Sequence, residues 1–144
     1  MFNYVSLGSN DLERAARFYD AVLAPLGLAR CSTAGEPNFE DWIGWGTYES
    51  RGAQELALWV CKPFNGAPAT PGNGTMVALR ASSWQAVQEF HTAALVHGGH
   101  SAGAPALRPQ YNDDFYAAYV RDPDGNKLAA VCRGIRAPPA ATAP

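Results

Sequence analysis

From Tyr116 to Cys132 the chain reads YAAYVRDPDGNKLAAVC, two runs of alternating apolar positions joined by Asp122, Pro123, Asp124, Gly125 and Asn126. Alternation with a period of two around such a turn predicts a β-hairpin. Pro123 fixes φ in the turn, Gly125 supplies the positive φ that closes it, and Asp122 and Asn126 satisfy local backbone groups. At the other end of the chain, Tyr4 to Gly8 alternates as a short strand. A helix is then predicted through Leu12, Ala15, Ala16, Phe18, Tyr19, Val22 and Leu23, capped by Ser9, Asn10 or Asp11 and stopped by Pro25 and Gly27. Leu28 to Ser32 reads as a weak edge strand, and Asp41 to Tyr48 with Glu55 to Lys62 as a second hairpin. Residues 63–74, PFNGAPATPGNG, form an irregular, exposed linker.

The pattern then starts again. Thr75 to Arg80 is a strand, and Ser82 or Ser83 caps a helix through Trp84, Val87, Phe90, Ala94 and Leu95 that ends at Gly98 and Gly99. A loop containing Pro105 and Pro109 leads into the closing hairpin. An offset of about 72 residues superposes Val5 on Val77, Phe18 on Phe90, Gly27 on Gly99 and Leu56-Ala57 on Leu128-Ala129 without a gap. The expectation is an α+β fold of two tandem βαβββ modules, residues 2–62 and 75–135, in a single domain spanning 1–135. Residues 136–144 are too poor in apolar side chains to fold and read as a disordered tail.

Composition narrows the function classes. A formal net charge of −2, with no run of Lys or Arg, argues against nucleic acid and anionic membranes as partners. No stretch approaches the ~18 apolar residues of a membrane span, so a soluble cytoplasmic protein is expected. Cys31, Cys61 and Cys132 lack the spacing of a disulfide framework or a zinc knuckle.

The doubled module, with NDLERAARFYDAVLAPLG in its first copy and DPDGNKLAAVC closing its second, resembles the vicinal oxygen chelate superfamily over residues 2–133. That superfamily includes glyoxalase I, extradiol ring-cleaving dioxygenases, fosfomycin resistance enzymes and bleomycin resistance proteins. The resemblance implies a curled mixed sheet around a central cleft, with the helices packed behind it and, commonly, a homodimer. On this picture Val5, Leu7, Leu56, Leu58, Val60, Val77, Leu79, Ala118, Val120, Leu128 and Ala130 face the helices. Tyr4, Trp45, Trp59, Met76, Arg80 and Tyr119 belong to the opposite parity and line the cleft, a mixture of aromatic and polar groups suited to a small ligand.

Enzymes of the superfamily hold one divalent metal through His, Gln or Glu. By resemblance those positions fall here on Tyr4, Ala57, Met76 and Ala129, which offer no imidazole or carboxylate. His91, His97 and His100 belong to the second helix or its exit and do not replace them. No metal or other cofactor is therefore expected. Tyr119 stands where the dioxygenases place a catalytic tyrosine, and here it either donates a hydrogen bond to a ligand or simply packs. The expected function is metal-free binding of a small planar or aromatic molecule by Tyr4, Trp45, Trp59, Met76 and Tyr119, with Arg80 or Arg108 pairing with an acidic group on it. The alternative is a metal-dependent lyase or a ring-cleaving dioxygenase that uses other ligands.

Overall fold

The computed structural model describes residues 1–134, so the tail expected at 136–144 lies outside the described residues. Two helices and seven strands run in the order β1 (Tyr4–Gly8), α1 (Leu12–Leu23), β2 (Trp42–Glu49), β3 (Gln54–Cys61), β4 (Val77–Arg80), α2 (Trp84–Val96), β5 (His100–Leu107), β6 (Tyr116–Arg121) and β7 (Lys127–Cys132). The fold is α+β. Instead of one continuous sheet there are two mixed sheets, a three-stranded one ordered β1-β3-β2 and a four-stranded one ordered β4-β7-β6-β5. In each, the module's first strand runs parallel to its last, and antiparallel hairpins complete the sheet.

Local chemistry sets the helix ends. Asp11 accepts from the Arg14 N–H and Ser83 from the Ala86 N–H, each satisfying a donor that the first turn leaves open. Past α1, a 3₁₀ turn over Ala24–Leu26 ends at Gly27, whose φ of 76° suits a residue without a Cβ. Both helices lay their apolar faces against the sheets. Phe18, Tyr19, Val22 and Leu23 of α1 and Val87, Phe90 and Ala94 of α2 share one core with Leu7, Leu58, Val60, Ala118, Val120, Leu128 and Ala130. Val5, Val77 and Leu79 pack at its margin. Leu56, expected on this face, is 65% exposed near the start of β3.

Two elements differ from expectation. Leu28 to Ser32 shrinks to a single bridge between Arg30 and Trp45. The segment read as a loop around Pro105 is strand β5, with register shifts between Ser101 and Gly103 and between Gly103 and Ala106. It lies at the edge of its sheet, where a proline lacking an N–H is tolerated because one side of the strand needs no partner.

The modules are joined through the DPDGN turn. Asp124 accepts from the Ser9 hydroxyl at 2.6 Å, the Asn10 N–H at 3.0 Å and the Arg14 guanidinium at 3.0 Å. Asn126 donates to the Gly8 carbonyl at 2.9 Å. The turn of the second module thus holds the β1–α1 connection of the first.

Candidate functional site

The four-stranded sheet carries a row of side chains on the face turned away from the helices. Ala78, Ala129, Tyr119 and Gly103 lie opposite one another across β4, β7, β6 and β5. A Cβ at Gly103 would come within 2.8 Å of Tyr119 Cδ2 and 3.3 Å of Arg108 Nη2. Glycine there leaves room for the ring and the guanidinium beside the edge strand. Above this row is a recess of about 660 Å³. Tyr119, Tyr111, Phe115 and Met76 form its apolar wall, and Arg108, Lys127 and Arg133 carry its charge.

Contacts orient these groups. Arg108 donates from Nη2 to the Ala104 carbonyl at 2.6 Å, and its guanidinium stands 5.4 Å from the Tyr119 ring centroid. Lys127 Nζ lies 5.6 Å from the same ring, and the Arg133 guanidinium 5.2 Å from that of Phe115. Tyr111 and Phe115 meet edge to face at 5.2 Å. Burial pushes the Tyr119 phenol above its ordinary value, Tyr111 adds to this, and Arg108 opposes it. At neutral pH the hydroxyl is therefore a donor and not a base.

Of the residues expected to line one cleft, the recess gathers Met76, Arg108 and Tyr119 and leaves the rest elsewhere. Arg80 is exposed at the end of β4, outside the recess. Tyr4 is 52% exposed on β1, in the other sheet. Trp59 is 2% exposed, closed in by Phe39 at 5.2 Å and Tyr48 at 5.4 Å, and donates to Glu55 at 2.8 Å. Its indole lies over Gly44, where a Cβ would approach it to 2.4 Å. Tyr48 donates to Glu36, and that bond pushes its phenol up to about 12.

The placement of Trp45 needs correction: it is a core residue. Residues directly opposed in an antiparallel pair share a face, and Trp45 stands opposite Leu58, which faces the helices. The ring is 1% exposed, packs on Tyr19 at 5.2 Å and donates from Nε1 to Asp20. Sequence reasoning also missed Tyr111, Phe115, Lys127 and Arg133. The first two follow Pro109 on an irregular segment that no periodicity phases, whereas Lys127 was accessible, since it shares the parity of Ala129.

The superfamily's metal does not fit the residues present. Tyr4 stands opposite Ala57 in the first module, whereas in the second Ala78, and not the repeat-equivalent Met76, stands opposite Ala129. The two parallel pairs thus differ in register by two residues, and the substitution of Ala78 adds no donor. Among the described residues no group of three His, Cys, Asp or Glu is placed to hold an ion. His91 instead contacts the Ser101 hydroxyl at 2.8 Å, and burial lowers its ring below the ordinary value.

Comparison with known proteins places the chain. No family model and no curated protein matches it, but solved structures do. A glyoxalase/bleomycin resistance protein from Albidiferax ferrireducens T118 is 33% identical, with a TM-score of 0.77 over 92% of this chain and 98% of that one. The chain belongs to the glyoxalase/bleomycin resistance protein/dioxygenase superfamily. A glyoxalase-related enzyme from Fulvimarina pelagi shares the fold at 20% identity and a TM-score of 0.68, covering 97% of this chain and 93% of its own. A lactoylglutathione lyase from Agrobacterium tumefaciens does so at 20% and 0.58, with 92% of each chain covered.

Proposed function

We propose that this chain is a metal-independent, small-molecule-binding member of its superfamily that takes a planar or aromatic ligand in the recess on the four-stranded sheet. The observation that carries this reading is the convergence of Tyr119, Tyr111, Phe115 and Met76 with Arg108 around one open volume. By resemblance, the positions that hold metal donors in the superfamily's enzymes carry Tyr4, Ala57, Met76 and Ala129 in this chain, and Ala78, which stands opposite Ala129, adds no donor. Ring stacking would supply much of the affinity, and the protonated Tyr119 hydroxyl would donate to a ligand oxygen. The proposal includes a homodimer and needs no cofactor.

The test is metal content by mass spectrometry on protein loaded separately with Mn, Fe, Ni and Zn, beside a thermal-shift screen of planar compounds. Absence of a stoichiometric ion together with stabilisation by planar ligands supports the reading. A stoichiometric, chelator-sensitive ion would overturn it in favour of a metal-dependent lyase or ring-cleaving dioxygenase.

A further inference from the structure

We infer that the recess is selective for anions: Arg108, Lys127 and Arg133 form a subsite for an oxyanion, a carboxylate or a phosphate, carried by the planar ligand. This rests on the reading that the recess binds a planar ligand, and adds its charge.

Four observations support the subsite. The chain as a whole is net negative, at −2, yet the side chains lining the recess include three cations and no carboxylate. The salt bridges found among the described residues, Arg14 with Asp124, Arg30 with Asp20 and Lys62 with Asp41, involve none of the three. Arg108 is fixed by its Nη2 bond to Ala104 and lines the recess, so its guanidinium is held there before any ligand arrives. Finally, all three cations lie 5.2–5.6 Å from the centroids of the wall's rings, so a planar ligand that packs beside Tyr119 or Phe115 would bring its acidic substituent alongside them.

Asp114 is the acid to weigh against this. It lies on the turn before β6, accepts from the Gly134 N–H at 2.7 Å and is not among the lining residues. The oxyanion therefore meets a positive field with a hydroxyl donor, Tyr119, at its edge.

The experiment is calorimetric titration of the full chain with 2-naphthoate, 2-naphthyl phosphate and neutral 2-naphthamide, in low and high salt. At least one anion should bind about tenfold more tightly than the amide, the scale of a charge-assisted contact, and the advantage should shrink as salt rises. The preferred anion identifies carboxylate or phosphate as the natural group. Lys127→Met with Arg133→Met should cut the advantage of the anion over the amide several-fold, leaving only what Arg108 supplies. Arg133→Met alone, at an exposed position, should reduce it even if the double variant does not fold. Equal binding of anions and amide overturns the anion subsite and leaves the planar pocket standing. No binding by any of the three overturns the planar pocket and the subsite with it. Anion preference untouched in folded variants overturns the assignment to these residues.

Discussion

The Tyr19 hydroxyl donates to Asp122 Oδ2 at 2.7 Å inside the core, so helix α1 of the first module is tied to the closing turn of the second. Asp122 is 2% exposed and also accepts from the Asn126 side chain and from the backbone N–H groups of Asp124 and Asn126. A carboxylate at this depth is tolerable only while it is fully hydrogen-bonded.

Tyr19→Phe should therefore cost about 1–3 kcal/mol, the penalty for depriving a buried acceptor of a partner, read from urea unfolding. It should also change the alkaline limb of stability. Burial first, and then the Asp122 charge, raise the folded-state phenol well above its ordinary value of 10.0. Below that value the group is protonated in both states and its contribution is complete. Above it the unfolded chain loses the proton while the folded chain keeps it, so stability falls with rising pH until the folded group ionises as well. The fall should be shallower in Tyr19→Phe, and an unchanged slope would show that Tyr19 is not the group responsible.

The second tie between modules runs through Asp124, whose side chain is 3% exposed beside an Arg14 that is 41% exposed. Its worth lies less in the ion pair, half in water, than in the donors it gathers from Ser9 and Asn10. Asp124→Asn keeps one acceptor oxygen and should cost less than Asp124→Ala, which takes the acceptor from the Asn10 N–H and Arg14, leaves the Ser9 hydroxyl only Asp11, and should lose about 2 kcal/mol. Thermal unfolding of the pair checks the order; equal losses would mean that charge and not hydrogen bonding is what the site supplies.

Helix ends and hairpins were legible in the sequence because each carries its own chemistry: Asp11 and Ser83 as caps, Gly27 as a stop, and DPDGN as a turn. What the sequence hid was what these groups do at a distance. Asp122 and Asn126 read as local turn formers, and they are, but no spacing rule reveals that Asp122 also receives the Tyr19 hydroxyl from another module. Strand β5 escaped because HSAGAPAL has neither alternation nor β-branched residues, and its place is set by pairing with β6. Trp45 was misread for a different reason. A large aromatic in a strand looks like a ligand platform, yet pairing Tyr48 with Glu55 at the hairpin's ends already sets Trp45 opposite Leu58, on the core side. Of the expected site, Met76, Arg108 and Tyr119 converge, and of these Tyr119 was legible from the parity of β6. Phe115 and Tyr111 sit on an aperiodic segment that sequence pattern cannot aim.

Gly103 offers the most direct way to separate ligand recognition from folding. Its Cα stands opposite Tyr119, and a methyl group there would meet Tyr119 Cδ2 at 2.8 Å and Arg108 Nη2 at 3.3 Å. Gly103 pairs with Tyr119 between two register shifts on the edge strand, and the ring, which borders open volume, is the part free to turn. Gly103→Ala should therefore push the Tyr119 ring into the recess and displace the guanidinium, while costing no more than about 1–3 kcal/mol of stability. Affinity for 2-naphthoate should drop several-fold, since both a stacking face and an anion donor move together, each worth about 1 kcal/mol. Calorimetric titration beside a thermal melt reads both quantities on one protein. A stable variant that binds 2-naphthoate as well as the parent would mean that neither Tyr119 nor Arg108 touches the ligand, and would move the search to another face of the fold.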